Sequence, residues 1–389
     1  MKKIGIVTLH TGYNYGSSLQ TFASKIFYKK LGYYPIVLGY SNSLVKGRDI
    51  RLEKLFVMFL RTFWRPSLFK KTFLTYSNSL KKDISVEAKE RFLNFSNKYL
   101  EVEKLNRKEM IEFGKNKDVL AVVCGSDQIW NSTAIYIDPF YYLKFFPRNK
   151  RMAYAPSFGK SIVPSYNKKI ITKNLKEIKY LSIREIEGQK IIKELLGKEV
   201  EVLLDPTLLL NKNEWSCIGN GEYNDKYVVF YFLDSPTDET IKKIKYCTGN
   251  EDVKIISIPY IHENMKNEFK NIFSYDIGPL EFINLIKNAQ KIYTDSYHGM
   301  LFSINFNKDF FIFERNYGVA HNQSSRIESI LEILGIKNRF YKEKDLFLNE
   351  KIYEKIDWNK VNIKLEEERI KSKKYILDCF KDIEGKNEE

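Results

Sequence analysis

A histidine with the surroundings of an anion-binding site lies in the segment Thr294–Met300. The apolar residues before it, Ala289–Tyr293, predict the end of a strand, and Leu301–Ile304 predict the first turn of a buried helix. The free N–H groups and the dipole of a helix start favour negative charge, and histidine suits proton transfer near neutral pH. The pattern predicts that His298 acts on an anionic substrate. A histidine that caps the helix or binds a core carbonyl fits equally well.

Three more polar side chains follow short apolar runs in the first half of the chain. Asp127, Ser157 and Arg184 each come just after such a run. Open α/β sheets bind ligands at the carboxyl ends of their strands, so these side chains are candidates for the same site. Two structural alternatives stay open. Asp127 could cap the next helix, and Arg184 could form an ion pair with Glu185 or Glu187.

The beginning of the chain has the pattern of a β-loop-α-β unit. The apolar run Ile4–Leu9 predicts a strand, and Leu19–Leu31 predicts a helix. A polar, glycine-containing loop, Thr11–Ser18, joins them, and Ile36–Leu38 predicts the next strand. The Gly-x-Gly-x-x-Gly spacing of dinucleotide-binding loops is absent. The unit therefore predicts a doubly wound α/β sheet without an NAD site.

The length of 389 residues favours two domains. We expect an N-terminal Rossmann-like domain over 1–210, a polar linker over 211–225, a C-terminal Rossmann-like domain over 226–355, and a C-terminal helix and tail over 356–389. The last helix is expected to pack back on the first domain. In the second domain, the serines at 324 and 325 are expected to cap a helix that ends at Gly335.

Composition excludes several classes of protein. The net charge of +15 is spread along the chain, which argues against a dedicated nucleic-acid domain. It fits either attraction to phosphate groups or an anionic membrane, or a general lysine bias. The four cysteines are far apart, so neither a metal site nor a disulfide framework is expected. No apolar run is long enough for a membrane span, and no signal peptide is recognisable. We expect a cytoplasmic protein.

One insert, residues 54–82, combines aromatic and basic side chains. Its apolar run Leu55–Leu60 is followed by Arg61, Phe63, Trp64 and further cations. Such a pattern is typical of a helix in a membrane interface. It is also typical of a core helix with an exposed basic face, which is the favoured interpretation because such patterns are common on soluble surfaces. If the membrane interpretation holds, we expect weak, salt-sensitive contact with anionic lipid.

Taken in order, seven short motifs resemble those of the polysaccharide pyruvyl transferase family. They span most of the chain, and they are Asn14–Gln20, Gly125–Asn131, Tyr154–Gly159, Leu181–Glu185, Leu204–Thr207, Thr294–Gly299 and Ser325–Ile327. The resemblance implies two Rossmann-like domains that face a cleft, as in GT-B glycosyltransferases. It also implies transfer of a pyruvyl group from phosphoenolpyruvate to two hydroxyls of a sugar. The product is a ketal on a cell-surface polysaccharide unit or its lipid-linked precursor.

The residues in these motifs fit that chemistry. Arg184 and Arg326 offer guanidinium groups for a carboxylate and a phosphate. His298 is the expected acid or phosphate ligand, and Asp127 is expected to take a proton from the attacking hydroxyl. The other residues expected to bind substrate come from the same motifs: Asn14, Tyr15, Gly16, Ser126, Gln128, Ser157, Ser296, Tyr297, Gly299 and Ser325. Neither a metal nor a nucleotide cofactor is expected.

The chain departs from the family pattern at Ser296, where some members carry arginine two residues before the histidine. Arg326 or Lys308 is the expected replacement for that cation. The departure leaves two alternatives open. One is a GT-B-like glycosyltransferase with a nucleotide-sugar donor, since fold does not fix function. The other is a glycan-binding protein without catalytic activity. The acceptor sugar and the oligomeric state are not determined by the sequence.

Overall fold

Two parallel β-sheets, each with helices on both faces, form the body of the molecule. The computed structural model describes residues 1–40, 50–65, 84–248, 253–315, 324–342 and 354–388. The strands are β1 (Lys3–Val7), β2 (Tyr34–Tyr40), β3 (Glu103–Leu105), β4 (Val119–Cys124), β5 (Arg151–Ala153), β6 (Tyr180–Ile183), β7 (Glu201–Val202), β8 (Tyr227–Tyr231), β9 (Lys254–Ile258), β10 (Ile272–Ser274), β11 (Lys291–Thr294), β12 (Asp309–Phe313) and β13 (Phe340–Tyr341).

Both sheets have the strand order of Rossmann folds. The first sheet runs β3-β2-β1-β4-β5-β6-β7, and the second runs β10-β9-β8-β11-β12-β13. All the strand pairs are parallel, for example Ile6 beside Val37 and Ile292 beside Val229. Counted from the first strand of each sheet, the order is 3-2-1-4-5-6, with a seventh strand at the end of the first sheet, and it reverses between the first and fourth strands. The expected pair of Rossmann-like domains is confirmed.

The helices alternate with the strands, as parallel connections require. In chain order they are α1 (Tyr15–Lys30), α2 (Ile50–Trp64), α3 (Val86–Phe95), α4 (Arg107–Lys115), α5 (Ser165–Leu175), α6 (Ile186–Leu196), α7 (Pro206–Leu209), α8 (Lys212–Ser216), α9 (Asp238–Thr248), α10 (Glu263–Lys266), α11 (Pro279–Asn288), α12 (Tyr297–Asn305), α13 (Ser325–Leu334) and α14 (Trp358–Glu388).

Helix α1 begins four residues earlier than the sequence predicts, at Tyr15 rather than Leu19. Asn14 caps it, because its side-chain oxygen accepts the N–H of Ser17 at 3.1 Å. The polar residues that were assigned to a loop therefore form the first helical turn. This turn lies at the carboxyl edge of the first sheet, directly after β1.

The C-terminal helix α14 packs on the first sheet and its helices, as expected. Phe380 is fully buried and its ring lies 4.9 Å from that of Tyr33. Ser372 Oγ accepts the N–H of Leu204 at 3.2 Å. Arg369 Nε donates to Leu208 O at 2.6 Å, and its Nη2 lies 3.1 Å from Asn305 Oδ1 in the second half. The helix thus connects both halves.

One continuous apolar core runs from the first half into the second. Tyr15 of α1 stacks on Phe282 of α11 at 4.8 Å, and its hydroxyl donates to Ile277 O at 3.2 Å. Trp215, which lies in the predicted linker, is buried against Phe302 at 4.9 Å. The linker segment therefore includes a short packed helix, α8. The domain bounds at 210 and 226 stay predictions.

The insert forms a helix, but its exposed face is not the one the sequence favours. Within α2, the large apolar side chains from Leu55 to Trp64 are mostly exposed, whereas Arg61 binds the body of the first half. The favoured interpretation, a core helix with an exposed basic face, is therefore wrong for this part. The predicted insert beyond Arg65 lies outside the described residues. In the described part of the chain, no helix has the length and apolar character needed to cross a membrane.

Candidate functional site

The candidate site is built around the buried carboxylate of Asp205, which gathers groups from both halves. Arg184 Nη1 donates to Asp205 Oδ2 at 2.5 Å, and Ser126 Oγ lies 3.1 Å from the same oxygen. His298 Nε2 is 3.6 Å away from it. The side chains of Arg184 and Asp205 are fully buried. The structure therefore brings three predicted site residues, Ser126, Arg184 and His298, to one carboxylate.

These residues meet because each follows a strand at the edge where its sheet ends. Ser126 follows β4, Arg184 follows β6, and His298 is in the first turn of α12 after β11. Asp205 caps helix α7, since Thr207 N and Oγ1 lie 3.0 and 2.8 Å from Asp205 Oδ1. One oxygen of the carboxylate is thus used by the cap. The other faces the arginine and the histidine.

The electrostatic surroundings keep Asp205 ionised. Burial alone would raise the pKa of its carboxyl. The His298 imidazole, the Arg184 guanidinium and the Thr207 backbone N–H outweigh burial and hold that pKa well below its ordinary value. A carboxylate in this state can orient an imidazole and stabilise its positive charge.

Asp127 is held on both of its oxygens. Ser17 Oγ donates to Oδ2 at 2.6 Å, and the backbone N–H of Gln128 donates to Oδ1 at 2.8 Å. Arg184 Nη2 lies 3.8 Å from Oδ1. Asp127 has a left-handed backbone, with φ of 69°, and lies in a turn. It does not cap a helix, so the alternative role of Asp127 as a helix cap is wrong.

His298 lies against the start of α1, so the two halves touch at the candidate site. A Cβ atom built on Gly16 would lie 2.1 Å from His298 Nδ1, far inside van der Waals contact. Only glycine permits this approach. Gly16 therefore contributes space for the histidine, and its predicted contact with substrate stays a prediction. The imidazole is 7% exposed, and its Nε2 has no hydrogen-bond partner among the described residues.

Two arginines from different halves flank the ring of Tyr297. The guanidinium carbon of Arg184 lies 4.5 Å from the ring centroid, and that of Arg326 lies 5.2 Å from it. Arg184 Nε and Nη2 are buried, and within the described residues they have no hydrogen-bond partner. Unpaired guanidinium N–H groups in the interior are costly. They are therefore suited to an anionic ligand.

Glu185 is a buried carboxyl that the sequence analysis did not select. Its Oε1 accepts Ser157 Oγ at 3.0 Å and the N–H of Phe158 at 2.9 Å. Burial raises the pKa of Glu185, although Arg184 opposes the shift. Ser157, which was predicted to bind substrate, is thus tied to Glu185. Asp205 was also missed, although its motif was recognised. The strand-end position just before Pro206 was the available signal.

Several residues that are predicted to bind substrate have contacts within the protein, and their binding of substrate stays a prediction. Ser296 caps α12 by accepting the N–H of Gly299 at 3.3 Å. A Cβ on Gly299 would lie 2.7 Å from Thr294 Oγ1, so that glycine is required by packing. Ser325 is buried in the first turn of α13, and its carbonyl accepts Ser329 Oγ at 2.7 Å. The expected serine cap of α13 is wrong, because Ser324 occupies the cap position without a side-chain cap bond.

The two candidate replacements for the motif arginine lie in different places. Arg326 lies beside Tyr297, next to His298. Lys308 precedes β12, at the amino edge of the second sheet, whereas His298 follows β11 at the carboxyl edge. Of the two, only Arg326 is placed at the candidate site.

A cavity of about 170 Å³ lies beside Gln128, the neighbour of Asp127. Its lining includes Lys54, Asn131 and Tyr141 together with Gln128. A larger cavity of about 610 Å³ contacts Tyr227 and Lys254 at the amino ends of β8 and β9. That is the edge opposite to the one where open α/β sheets bind ligands. In the residues that the structure describes, no group of three His, Cys, Asp or Glu side chains is placed to hold a metal ion.

Comparisons with solved structures find enzymes of nucleotide sugars. The S. aureus MnaA–UDP complex shares 13% identity at a TM-score of 0.46, over 94% of this chain and 91% of its own. A putative UDP-N-acetylglucosamine 2-epimerase from Listeria monocytogenes shares 8% identity at 0.45, over 93% and 94%. E. coli heptosyltransferase WaaC with ADP shares 10% identity at a TM-score of 0.38, over 95% and 99%. The chain has no significant match among curated protein sequences.

The family comparison covers most of the molecule. The sequence model of the polysaccharide pyruvyl transferases matches residues 14–317. This range includes the start of α1, the segments after β4 and β6, the Asp205 cap and the His298 turn. The chain belongs to the polysaccharide pyruvyl transferase family.

Proposed function

We propose that the protein transfers a pyruvyl group from phosphoenolpyruvate to two hydroxyls of a sugar, with formation of a ketal. One observation carries the proposal. His298 and Arg184, from different halves, both face the ionised carboxylate of Asp205, and Arg184 keeps two buried N–H groups without partners among the described residues. This arrangement supports binding of a donor with two anionic groups next to a positioned acid.

The donor carries a carboxylate and a phosphate ester on the same carbon atom. Arg184 and Arg326 lie on either side of Tyr297 and offer guanidinium groups to these two anions. The first turn of α12 adds backbone N–H groups that have no partner within the helix, and among the described residues the Ser296 side chain accepts that of Gly299. Ser296 itself cannot replace an arginine. In this proposal Arg326 supplies the second cation.

The chemistry requires only proton transfers and one displacement. His298 donates a proton to the methylene carbon of the donor, which makes the central carbon electrophilic. A sugar hydroxyl attacks that carbon, and the bond to the phosphate oxygen breaks. The second hydroxyl then attacks the same carbon and closes the ketal. Of the two hydroxyl protons, one restores His298 and the other leaves with phosphate. No metal or nucleotide is needed for this balance.

Asp127 and Asp205 have different roles in the proposal. Asp127 takes the proton of the first attacking hydroxyl and gives it to the departing phosphate, and its hydrogen bonds from Ser17 and Gln128 fix its direction. Asp205 does not contact the donor. It orients His298 and stabilises the imidazolium, as a buried carboxylate does for a catalytic histidine.

The acceptor is proposed to be a sugar unit of a cell-surface polysaccharide, or its lipid-linked precursor on the cytoplasmic side of the membrane. The family supports modification of a polysaccharide. We place the acceptor next to the first half, because Asp127 and the cavity beside Gln128 belong to that half. The donor lies on the side of α12.

Thermal unfolding with ligands tests the donor. A ligand that binds the folded state raises the unfolding midpoint. We expect phosphoenolpyruvate to raise it, with smaller effects of pyruvate or inorganic phosphate, which each carry one of the two anions. In His298→Gln, compared with the wild type, phosphoenolpyruvate should still raise the unfolding midpoint. The rate of phosphate release should fall by about 10²-fold. A response to nucleotide sugars alone would indicate a glycosyltransferase. No response to either donor would indicate a glycan-binding protein.

A further inference from the structure

Helix α2 has an apolar half that faces away from the molecule. Leu55 and Phe56 are each 62% exposed, Phe59 is 67%, Phe63 is 70% and Trp64 is 78%. At 3.6 residues per turn, these positions share one side of the helix. Monomeric proteins rarely expose so many large apolar side chains together, and such surfaces mark contacts with a protein or a membrane.

The opposite side of α2 is fixed to the first half. Arg61 Nη1 donates to Ile135 O at 2.7 Å and to Asn167 Oδ1 at 2.8 Å. The Arg65 guanidinium lies 5.8 Å from the ring centroid of Tyr166. The polar contacts therefore hold the helix against the body with its apolar half outward.

The charge of residues 54–82 favours lipid over protein as the partner of α2. Besides Arg61 and Arg65, which contact the body, residues 54–82 contain five Lys and no Asp or Glu. Anionic headgroups attract such clusters, and each cation near the surface adds to the binding. Phenylalanine and tryptophan at the outer side of a surface helix are typical of the boundary between headgroups and acyl chains.

We propose that α2 lies in the plane of an anionic membrane, with its apolar half in the acyl boundary. This deepens the proposed function, because it names the surface through which the enzyme reaches a lipid-linked acceptor. It rests on the proposed function only for the identity of that acceptor. Binding to the membrane itself does not require transfer activity.

In this orientation, the cavity beside Gln128 lies next to the membrane-facing helix. Lys54, at the beginning of the exposed part of α2, lines the cavity together with Asn131 and Gln128. Asp127 precedes Gln128 in the chain, so the cavity borders both α2 and the segment that carries the proposed base. Amide, amine and aromatic groups around a small cavity suit a sugar ring. A sugar held at the headgroups by its lipid enters here.

Vesicle sedimentation tests the membrane contact. The probes are vesicles of phosphatidylcholine with one third phosphatidylglycerol, and vesicles of phosphatidylcholine alone. We expect the wild type to bind the anionic vesicles, and binding to fall as salt rises. The combined change Phe56→Ser, Phe59→Ser and Phe63→Ser should weaken binding by about 100-fold, because three aromatic side chains no longer enter the acyl boundary. Tryptophan fluorescence should shift to the blue when the wild type binds the anionic vesicles, and this shift should be absent with the triple variant.

The matched control is Ile363→Ser with Ile370→Ser, which removes two apolar side chains that are each 62% exposed on α14. This control should bind vesicles like the wild type. All variants should keep the unfolding midpoint measured without ligand.

Equal binding of the wild type and the triple variant would overturn the proposal. If the wild type forms a dimer that the triple variant does not form, and the wild type does not bind vesicles, then the apolar half of α2 contacts a second copy of the chain. Vesicle binding without any effect of phosphoenolpyruvate on unfolding would leave the membrane proposal standing and reject only the donor.

Discussion

At the residue scale, the contact between Gly16 and His298 leaves the least room for change. Gly16 is in the first turn of α1, where alanine is compatible with the backbone, so only its side chain matters. In Gly16→Ala the new Cβ would overlap Nδ1 of His298, so the ring must leave its present position beside Asp205 Oδ2. We expect turnover, measured as phosphate release, to fall by about 10²-fold, as for a lost acid.

Gly385→Ala is the control for that change. Gly385 lies in α14 with no atom within 4 Å of the position of a Cβ. Alanine there should leave turnover and folding unchanged. If Gly16→Ala keeps wild-type turnover and an unchanged unfolding midpoint, the position of the His298 ring does not limit the reaction.

Arg184 provides a second prediction at this scale. Arg184→Lys keeps the positive charge near Asp205, but it loses the fork whose Nε and Nη2 have no hydrogen-bond partner among the described residues. The affinity for phosphoenolpyruvate, measured by calorimetry, should fall by about 10-fold or more, since a charge-assisted hydrogen bond contributes about 1.5–3 kcal/mol. Binding of the acceptor should change less. Equal donor affinity in both proteins would mean that Arg184 only supports Asp205.

At the scale of elements, the start of α1 can be tested separately from catalysis. Asn14→Ala removes the oxygen that accepts the N–H of Ser17, and we expect a loss of about 1 kcal/mol in the free energy of unfolding. Asn14→Asp keeps an acceptor and serves as the control. Urea unfolding measures both. A destabilisation shared equally by the two variants would mean that the amide, rather than the cap, is the important group.

Most elements could be predicted from periodicity, whereas their ends and outward faces could not. The start of α1 was missed because Gly16, Ser17 and Ser18 are weak helix formers that occur mostly in loops. The insert was recognised as an amphipathic helix. Which half faces the solvent depends on the contact of Arg61 with Asn167, and a single sequence does not contain that contact.

The candidate site was only partly predictable, because some of its contacts are also not contained in a single sequence. Polar residues at strand ends could be recognised, because parallel sheets bring those ends together. The roles of Asp205 and Gly16 could not, since each depends on His298 in the other half. Ser157 and Ser296 were assigned to substrate because a hydroxyl in a motif looks the same whether it binds a ligand or the protein itself.

At the scale of the whole molecule, Asp205 makes stability depend on pH. Its pKa is depressed in the folded state, so its stabilising contribution is present above the unfolded value of about 3.9 and is lost as the pH falls towards the folded pKa. We expect the wild type to be more stable than Asp205→Asn at neutral pH. The difference in urea midpoint should shrink below about pH 4. A difference that stays constant down to pH 3 would contradict the assignment.

The docking of α14 has a consequence for how the chain is made. Phe380 and Ile383 complete the core around Tyr28 in the first half, but ribosomes add them after the whole second sheet. Domains usually fold during synthesis in the order in which they emerge. Here the first sheet leaves the exit tunnel long before its last core side chains exist. The nascent first half must therefore wait, with an uncovered apolar surface around Tyr28, until translation is almost finished.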